Sequence, residues 1–253
     1  MKATLKKLFN IKPKVPLPVG LPENHRLYCI GDIHGRLDLL QEAHQKIVND
    51  AADFTGTKIR VYLGDYIDRG MHSRQVIECL LENNFPDFKT VFLLGNHEQV
   101  LMQFLSGNDD VIAHEWFRFG GLSTLISYGV KVQGIPTAKE LAGLRTQLLE
   151  KMPASHLTFF ERLAIYYEIG GYFFVHAGIK PSCKLHLQRA EDLLWIREEF
   201  LNSELFHGKV IVHGHTVTDQ PEIRHNRIAL DTGAYATGRL ICAVFEGAGC
   251  QFL

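Results

Sequence analysis

Six short apolar runs, each closed on its C-terminal side by a polar cluster, constrain this chain more than any other feature. Arg26-Leu27-Tyr28-Cys29-Ile30 leads into Gly31-Asp32-Ile33-His34-Gly35, and Ile59-Arg60-Val61-Tyr62-Leu63 leads into Gly64-Asp65-Tyr66-Ile67-Asp68-Arg69-Gly70. Thr90-Val91-Phe92-Leu93-Leu94 leads into Gly95-Asn96-His97-Glu98. Later, Tyr172-Phe173-Phe174-Val175 precedes His176-Ala177-Gly178, Val210-Ile211-Val212 precedes His213-Gly214-His215-Thr216, and Arg227-Ile228-Ala229-Leu230 precedes Asp231-Thr232-Gly233. Runs this short, rich in β-branched and aromatic residues and closed by glycine, predict buried strands. In open α/β sheets ligands sit beyond the carboxyl ends of the strands. Carboxylates, imidazoles and a carboxamide delivered repeatedly to one sheet edge are the donors a hard or borderline divalent cation takes.

Helical spacing separates the first three runs. Leu37, Leu40, His44, Ile47 and Val48 share a helix face; Ser73 to Leu81 predicts a second helix with Ser73 as N-cap, and Glu98 to Leu105 a third. These units make a βαβαβ half over about residues 26–105. Strand character is missing from residues 106–171, where helices are expected around His114–Tyr128, Ala138–Lys151 and His156–Tyr166, punctuated by Gly107, Gly120-Gly121, Gly129 and Pro136. This segment is expected to be a helical cap insertion facing the substrate. Residues 171–253 return to strands, with a helix near Ala190–Leu201 and a last strand over Leu240–Phe245.

With 253 residues the chain suits one large α/β domain, taken as 26–253. Residues 1–25, with Lys2, Lys6, Lys7 and four prolines, are expected to be a flexible basic tail and not a secretory signal. A formal net charge of -1 gives no electrostatic footprint for nucleic acid. No apolar stretch approaches the ~20 residues of a membrane span. Five cysteines without CxxC spacing suit reduced thiols in a cytoplasmic protein. Thirteen histidines favour metal chemistry.

At the strand ends, Asp32 and His34 lie two apart on a turning backbone and can point the same way. Asp65 can bridge two cations with its two oxygens, Asn96 offers a neutral oxygen, and His176 and His215 offer imidazoles. The set divides into Asp32, His34 and Asp65 at one metal, and Asp65, Asn96, His176 and His215 at the other. Two metals ~3.5–4 Å apart can clamp a phosphoryl group and hold a bridging hydroxide for in-line attack.

GDIHG, GDYIDRG, GNHE, HAG and GHT, in this order, resemble the phosphoprotein phosphatase family of calcineurin-like metallophosphoesterases. The resemblance covers most of residues 26–245. It implies an α/β fold of two mixed β-sheets sandwiched by helices, and the six ligands Asp32, His34, Asp65, Asn96, His176 and His215. The implied cofactors are two divalent ions, Mn2+ first, with Fe or Zn as alternatives. It also implies His97 as the general acid, oriented by Asp68, and Arg69 and Arg197 as phosphate contacts. These roles suit the chemistry: an alkoxide needs a proton, and arginine's planar fork fits phosphate oxygens.

Many family members carry an arginine just before GNHE, where this chain has Leu94. Asp231-Thr232-Gly233-Ala234 looks like the short bacterial and phage branch. His213 could orient a ligand or simply pack, Asp231 could orient one or only form a turn, and His114, Trp116 and Tyr128, which could line a substrate groove, are read first as packing residues of an amphipathic helix. The resemblance implies a serine/threonine protein phosphatase acting on phosphoproteins or small phosphate esters, with phosphotyrosine as an additional target. The alternatives are a symmetrical diadenosine-tetraphosphate hydrolase, and a catalytically silent binding protein, against which the intact ligand set argues.

Overall fold

The computed structural model describes residues 19–82, 85–107, 110–134 and 136–253; the expected tail over 1–18 lies outside them. Strand β1 (His25–Ile30), helix α1 (Leu37–Ala51), β2 (Thr57–Tyr62), α2 (Ser73–Leu81), β3 (Phe88–Phe92) and α3 (Asn96–Ser106) follow in the expected strand–loop–helix order. β1, β2 and β3 run parallel. β9 (Cys242–Glu246) and β10 (Gly249–Phe252) extend this sheet antiparallel, giving the order β10-β9-β1-β2-β3. The second sheet has the order β4-β5-β6-β8-β7, from Tyr166–Ile169, Tyr172–Val175, Val210–His213, Arg227–Ala229 and Glu222–Ile223, with β5, β6 and β8 parallel. Both sheets are mixed, as expected.

Alternation along the strands builds three apolar layers. Leu27, Cys29, Ile59 and Val61 from the first sheet meet Tyr172, Phe174, Val210 and Val212 from the second, so the sheets face each other. On the outer side of β1 and β2, Tyr28, Ile30 and Tyr62 pack beneath α1–α3 and the later helices. Phe173, Val175 and Ile211 pack on the far side of the second sheet against Leu193 and Phe200. β1, β2, β5, β6 and β8 are buried on both faces over all or most of their length, which is why they read as continuous apolar runs.

Several expectations change. Leu21, in the segment assigned to the tail, is 8% exposed and packs in the layer between the sheets, its N–H donating to Gly247 O at 2.8 Å. Ordered chain therefore precedes Arg26. The helix expected over His114–Tyr128 is two, α4 (Asp110–Arg118) and α5 (Gly121–Ser127), broken at Gly120 with φ 106°. α6 (Ala138–Lys151) matches, but α7 stops at Glu161 (Ala154–Glu161) and Tyr166–Ile169 is strand β4. Insertion 106–171 is thus helical only to Glu161. Gly170-Gly171 closes a β4–β5 hairpin, a two-residue turn flanked by β-formers that outweighs the helical spacing. The helix expected at Ala190–Leu201 divides at Arg197 into α8 (Ala190–Trp195) and α9 (Glu198–Leu201). Ser73 lies inside α2 with His72 at the cap, its hydroxyl turned to another task.

Candidate metal centre

Loops leaving the carboxyl ends of β1, β2, β3, β5 and β6 converge on one point. Among the described residues six non-glycine positions have left-handed φ, and five lie in these loops: His34, Asp65, Asp68, Arg69 and His215. Such backbone costs roughly 1–3 kcal/mol per residue and is characteristic of functional sites. It turns each side chain sharply off its strand end, inward.

Asp65 stands at the middle. Its Oδ2 lies 3.5 Å from His34 Nε2 and its Oδ1 lies 3.4 Å from His176 Nε2. Asn96 Oδ1 is 2.8 Å from His176 Nε2 and 3.0 Å from His215 Nδ1. Asp32 Oδ2 accepts the His215 backbone N–H at 2.9 Å. His34, Asp65 and His97 form one cluster of metal-competent atoms, and Asp65, His176 and His215 another. The six expected ligands are buried together. Gly214 leaves no room for a side chain, since a Cβ there would strike Asp32 Oδ1.

The donor set fits cations. Nδ1 of His34 and of His176 each donates to a backbone carbonyl, Ile67 O and Leu63 O, both at 2.9 Å. Burial keeps both rings neutral by lowering their pKa. Each Nε2 then presents a lone pair toward carboxylate or carboxamide oxygens, an arrangement of acceptors that a metal ion satisfies. Asp32 Oδ1 and His215 Nε2 are buried without a hydrogen-bond partner. Burial, with the charges of Asp231 and Asp65, pushes the Asp32 carboxyl well up. Burial also raises Asp231 to about 6. Burial would raise the Asp65 carboxyl as well, but the imidazoles around it hold it low, and of these His97 is the one that stays protonated near neutrality.

Glu98, read from the sequence only as part of a helix, ties this edge together. One carboxylate oxygen accepts N–H groups of Asp65 (2.9 Å) and Gly95 (3.1 Å); the other accepts those of Tyr66 (2.8 Å) and Ile67 (3.3 Å). Burial and the Asp65 charge push Glu98 up to about 8, whereas four amide donors suit only its ionised form. A cation on Asp65 removes that conflict.

Beside the cluster, His97 Nδ1 donates to Asp68 Oδ2 at 2.6 Å. Burial alone would lower the imidazole; Asp65 and Asp68 carry it up to about 8. The Asp68 carboxylate also accepts Trp116 Nε1–H at 2.8 Å and the Thr124 hydroxyl at 2.5 Å, and its backbone N–H donates to Ser73 Oγ at 3.0 Å. Trp116 is therefore a buried anchor, not a groove residue, and Tyr128 is buried against His156. Arg69 Nη2 lies 3.5 Å from His97 Nε2. Arg197 is exposed at the rim, 3.4 Å from Thr216 Oγ1. His213 is packed under the Phe200 ring and outside both clusters. Leu94 is half-buried, its N–H held by Ala164 O.

A family model described as calcineurin-like phosphoesterase matches residues 25–239. A bis(5'-nucleosyl)-tetraphosphatase PrpE [asymmetrical] of Bacillus thuringiensis (strain Al Hakam) is 24% identical, covering 83% of this chain and 87% of its own. Its Bacillus mycoides (strain KBAB4) counterpart is 25% identical over the same shares. Among solved structures, a candidate diadenosine tetraphosphatase superposes with a TM-score of 0.59 at 20% identity, covering 93% of this chain and 96% of that one. A cold-active protein-tyrosine phosphatase of a psychrophilic Shewanella gives 0.53 at 16% identity, covering 90% and 78%. At these identities the two structures speak for the fold.

Proposed function

This chain belongs to the calcineurin-like phosphoesterase family, and on that footing we propose that it hydrolyses phosphomonoesters, foremost phosphoserine and phosphothreonine in proteins, with phosphotyrosine and small phosphate esters as further substrates. Asp32, His34 and Asp65 would hold one divalent cation, and Asp65, Asn96, His176 and His215 a second. Mn2+ is the first choice, Fe or Zn the alternatives. Such ions neutralise phosphoryl charge and acidify a water enough to attack at neutral pH.

The protein's own groups do the rest. Asp68 fixes the His97 ring through Nδ1, leaving Nε2 to hold the proton that the departing oxygen needs. Arg69, beside that Nε2, and Arg197 at the rim would bind the phosphoryl oxygens and stabilise the charge that builds on them. The observation that carries the reading is the buried His97–Asp68 pair. An alkoxide from serine or threonine is a strong base and leaves only when protonated, whereas a nucleotide leaving from a phosphoanhydride is already a weak base.

A second reading, dinucleoside-tetraphosphate hydrolysis, is favoured by the names of the Bacillus relatives. Those names specify asymmetrical cleavage, not the symmetrical cleavage expected from the sequence. Metal-free protein reloaded with Mn2+ and assayed side by side on a phosphoserine peptide and diadenosine tetraphosphate separates the two. A higher kcat/KM on the phosphopeptide is expected. Preference for diadenosine tetraphosphate overturns the first reading, and ATP plus AMP against two ADP identifies the cleavage. Inactivity on both under every divalent metal refutes both readings.

A further inference from the structure

Tyr235 has no part in the chemistry above, yet it lies against two of its groups. It sits on the single turn α10 (Ala234–Thr237), bounded by Gly233 and Gly238, both left-handed. That turn is fastened: Arg36, itself paired with Asp38 through two contacts, donates to Ala234 O at 2.8 Å, and Thr237 Oγ1 donates to Thr232 O at 2.9 Å. The ring meets His34 edge-on at 5.5 Å and lies under the Arg69 guanidinium, whose central carbon is 4.4 Å from its centroid. Tyr235 is 40% exposed, so it reaches the open side of the site.

Arg69 is otherwise fixed only at its root. Its backbone is left-handed, with φ 66°, and its N–H donates to Gly120 O at 3.3 Å. Among the described residues no carboxylate lies within 4.0 Å of its guanidinium; the head touches His97 Nε2 and the Tyr235 face. A carboxylate partner would hold the fork still but cancel its charge. An aromatic face restrains the fork and leaves both the charge and the in-plane N–H donors available. We propose that Tyr235 is a positioning residue, the platform that keeps Arg69 aimed at the substrate phosphate. The inference rests on the reading of Arg69 as a phosphate contact.

The test compares Mn2+-loaded native protein, Tyr235→Ala, Tyr235→Phe, Arg69→Ala and the double alanine variant, reading KM and kcat for p-nitrophenyl phosphate and inhibition by inorganic phosphate. Tyr235→Ala is expected to raise KM and the phosphate inhibition constant about three- to tenfold, and to lower kcat by a smaller factor than Arg69→Ala does. Tyr235→Phe keeps the ring and should rescue both constants. In the Arg69→Ala background Tyr235→Ala should add nothing, because the coupled term is already gone. Tyr235→Leu, which fills the space without a π face, replaces the alanine variant if that fails to fold. If Arg69→Ala raises KM but the Tyr235 variants do not, or if the two effects multiply, the platform role is overturned while the phosphate role of Arg69 stands. If Arg69→Ala leaves KM unchanged, both fall.

Discussion

Replacing Glu98 by glutamine tests whether one carboxylate holds the metal edge together. Each of its oxygens accepts two backbone N–H groups, those of Asp65 and Gly95 on one side and of Tyr66 and Ile67 on the other. Glutamine can keep two of the four; its NH2 must then face the other two donors. Hydrogen bonds to a charged acceptor contribute about 1.5–3 kcal/mol each, so losing two costs roughly 3–6 kcal/mol, less what is regained by not burying a charge. For a chain of this length that lowers Tm by up to roughly 6–24 °C. The assay is thermal unfolding in excess chelator at a pH above the value of about 8 to which Glu98 is pushed without a cation, so that the carboxylate is charged and the effect on the fold is separated from any effect on metal affinity. Metal titration of the folded variant should also show weaker binding, because Asp65 and Gly95 lose their shared anchor. A chelated Glu98→Gln protein melting within about 3 °C of native would show that the four N–H contacts are not holding the edge, and the reasoning would fail.

Two further substitutions probe the same centre. His97→Asn removes the proposed proton donor, and turnover of an alkyl phosphate should fall about 10²–10⁴-fold, with a smaller loss on p-nitrophenyl phosphate, whose leaving group needs no proton. Metal content by elemental analysis should stay near native; loss of metal would recast His97 as a ligand, as its 3.7 Å approach to Asp65 Oδ2 allows. Gly214→Ala places a methyl group on Asp32 Oδ1, so one of the two metal equivalents should be lost in a binding titration. Native stoichiometry in that variant would remove Asp32 from the candidate ligand set.

The strand-end clusters were legible because each group follows an apolar run directly, so sequence order and spatial convergence coincide for Asp32, His34, Asp65, Asn96, His176 and His215. The edge strands were not. β7 has two residues, too few for any period to show, and β4 reads as the tail of a helix until the Gly170-Gly171 turn is weighed. Leu21 follows Pro16 and Pro18 in a segment whose composition suggests a tail, and only the gap between the sheets draws it in. Glu98 could have been suspected, since an acid at the third position of a helix commonly reaches back to the first amides. Trp116 and Thr124 could not: they meet Asp68 across 48 and 56 positions, and their helices show only ordinary amphipathic spacing.

Those two contacts give the helical segment a different standing from a lid. The hydroxyl of Thr124 and the indole of Trp116 hold the carboxylate that orients His97, and the Gly120 carbonyl holds the Arg69 backbone. The segment is therefore wired into the candidate site and is not an interchangeable module. Grafting it from a relative to change substrate preference would replace the support of the His97–Asp68 pair at the same time. Recombination in this neighbourhood should succeed only where crossover points keep α4 and α5 together with the loop that carries Asp68 and Arg69.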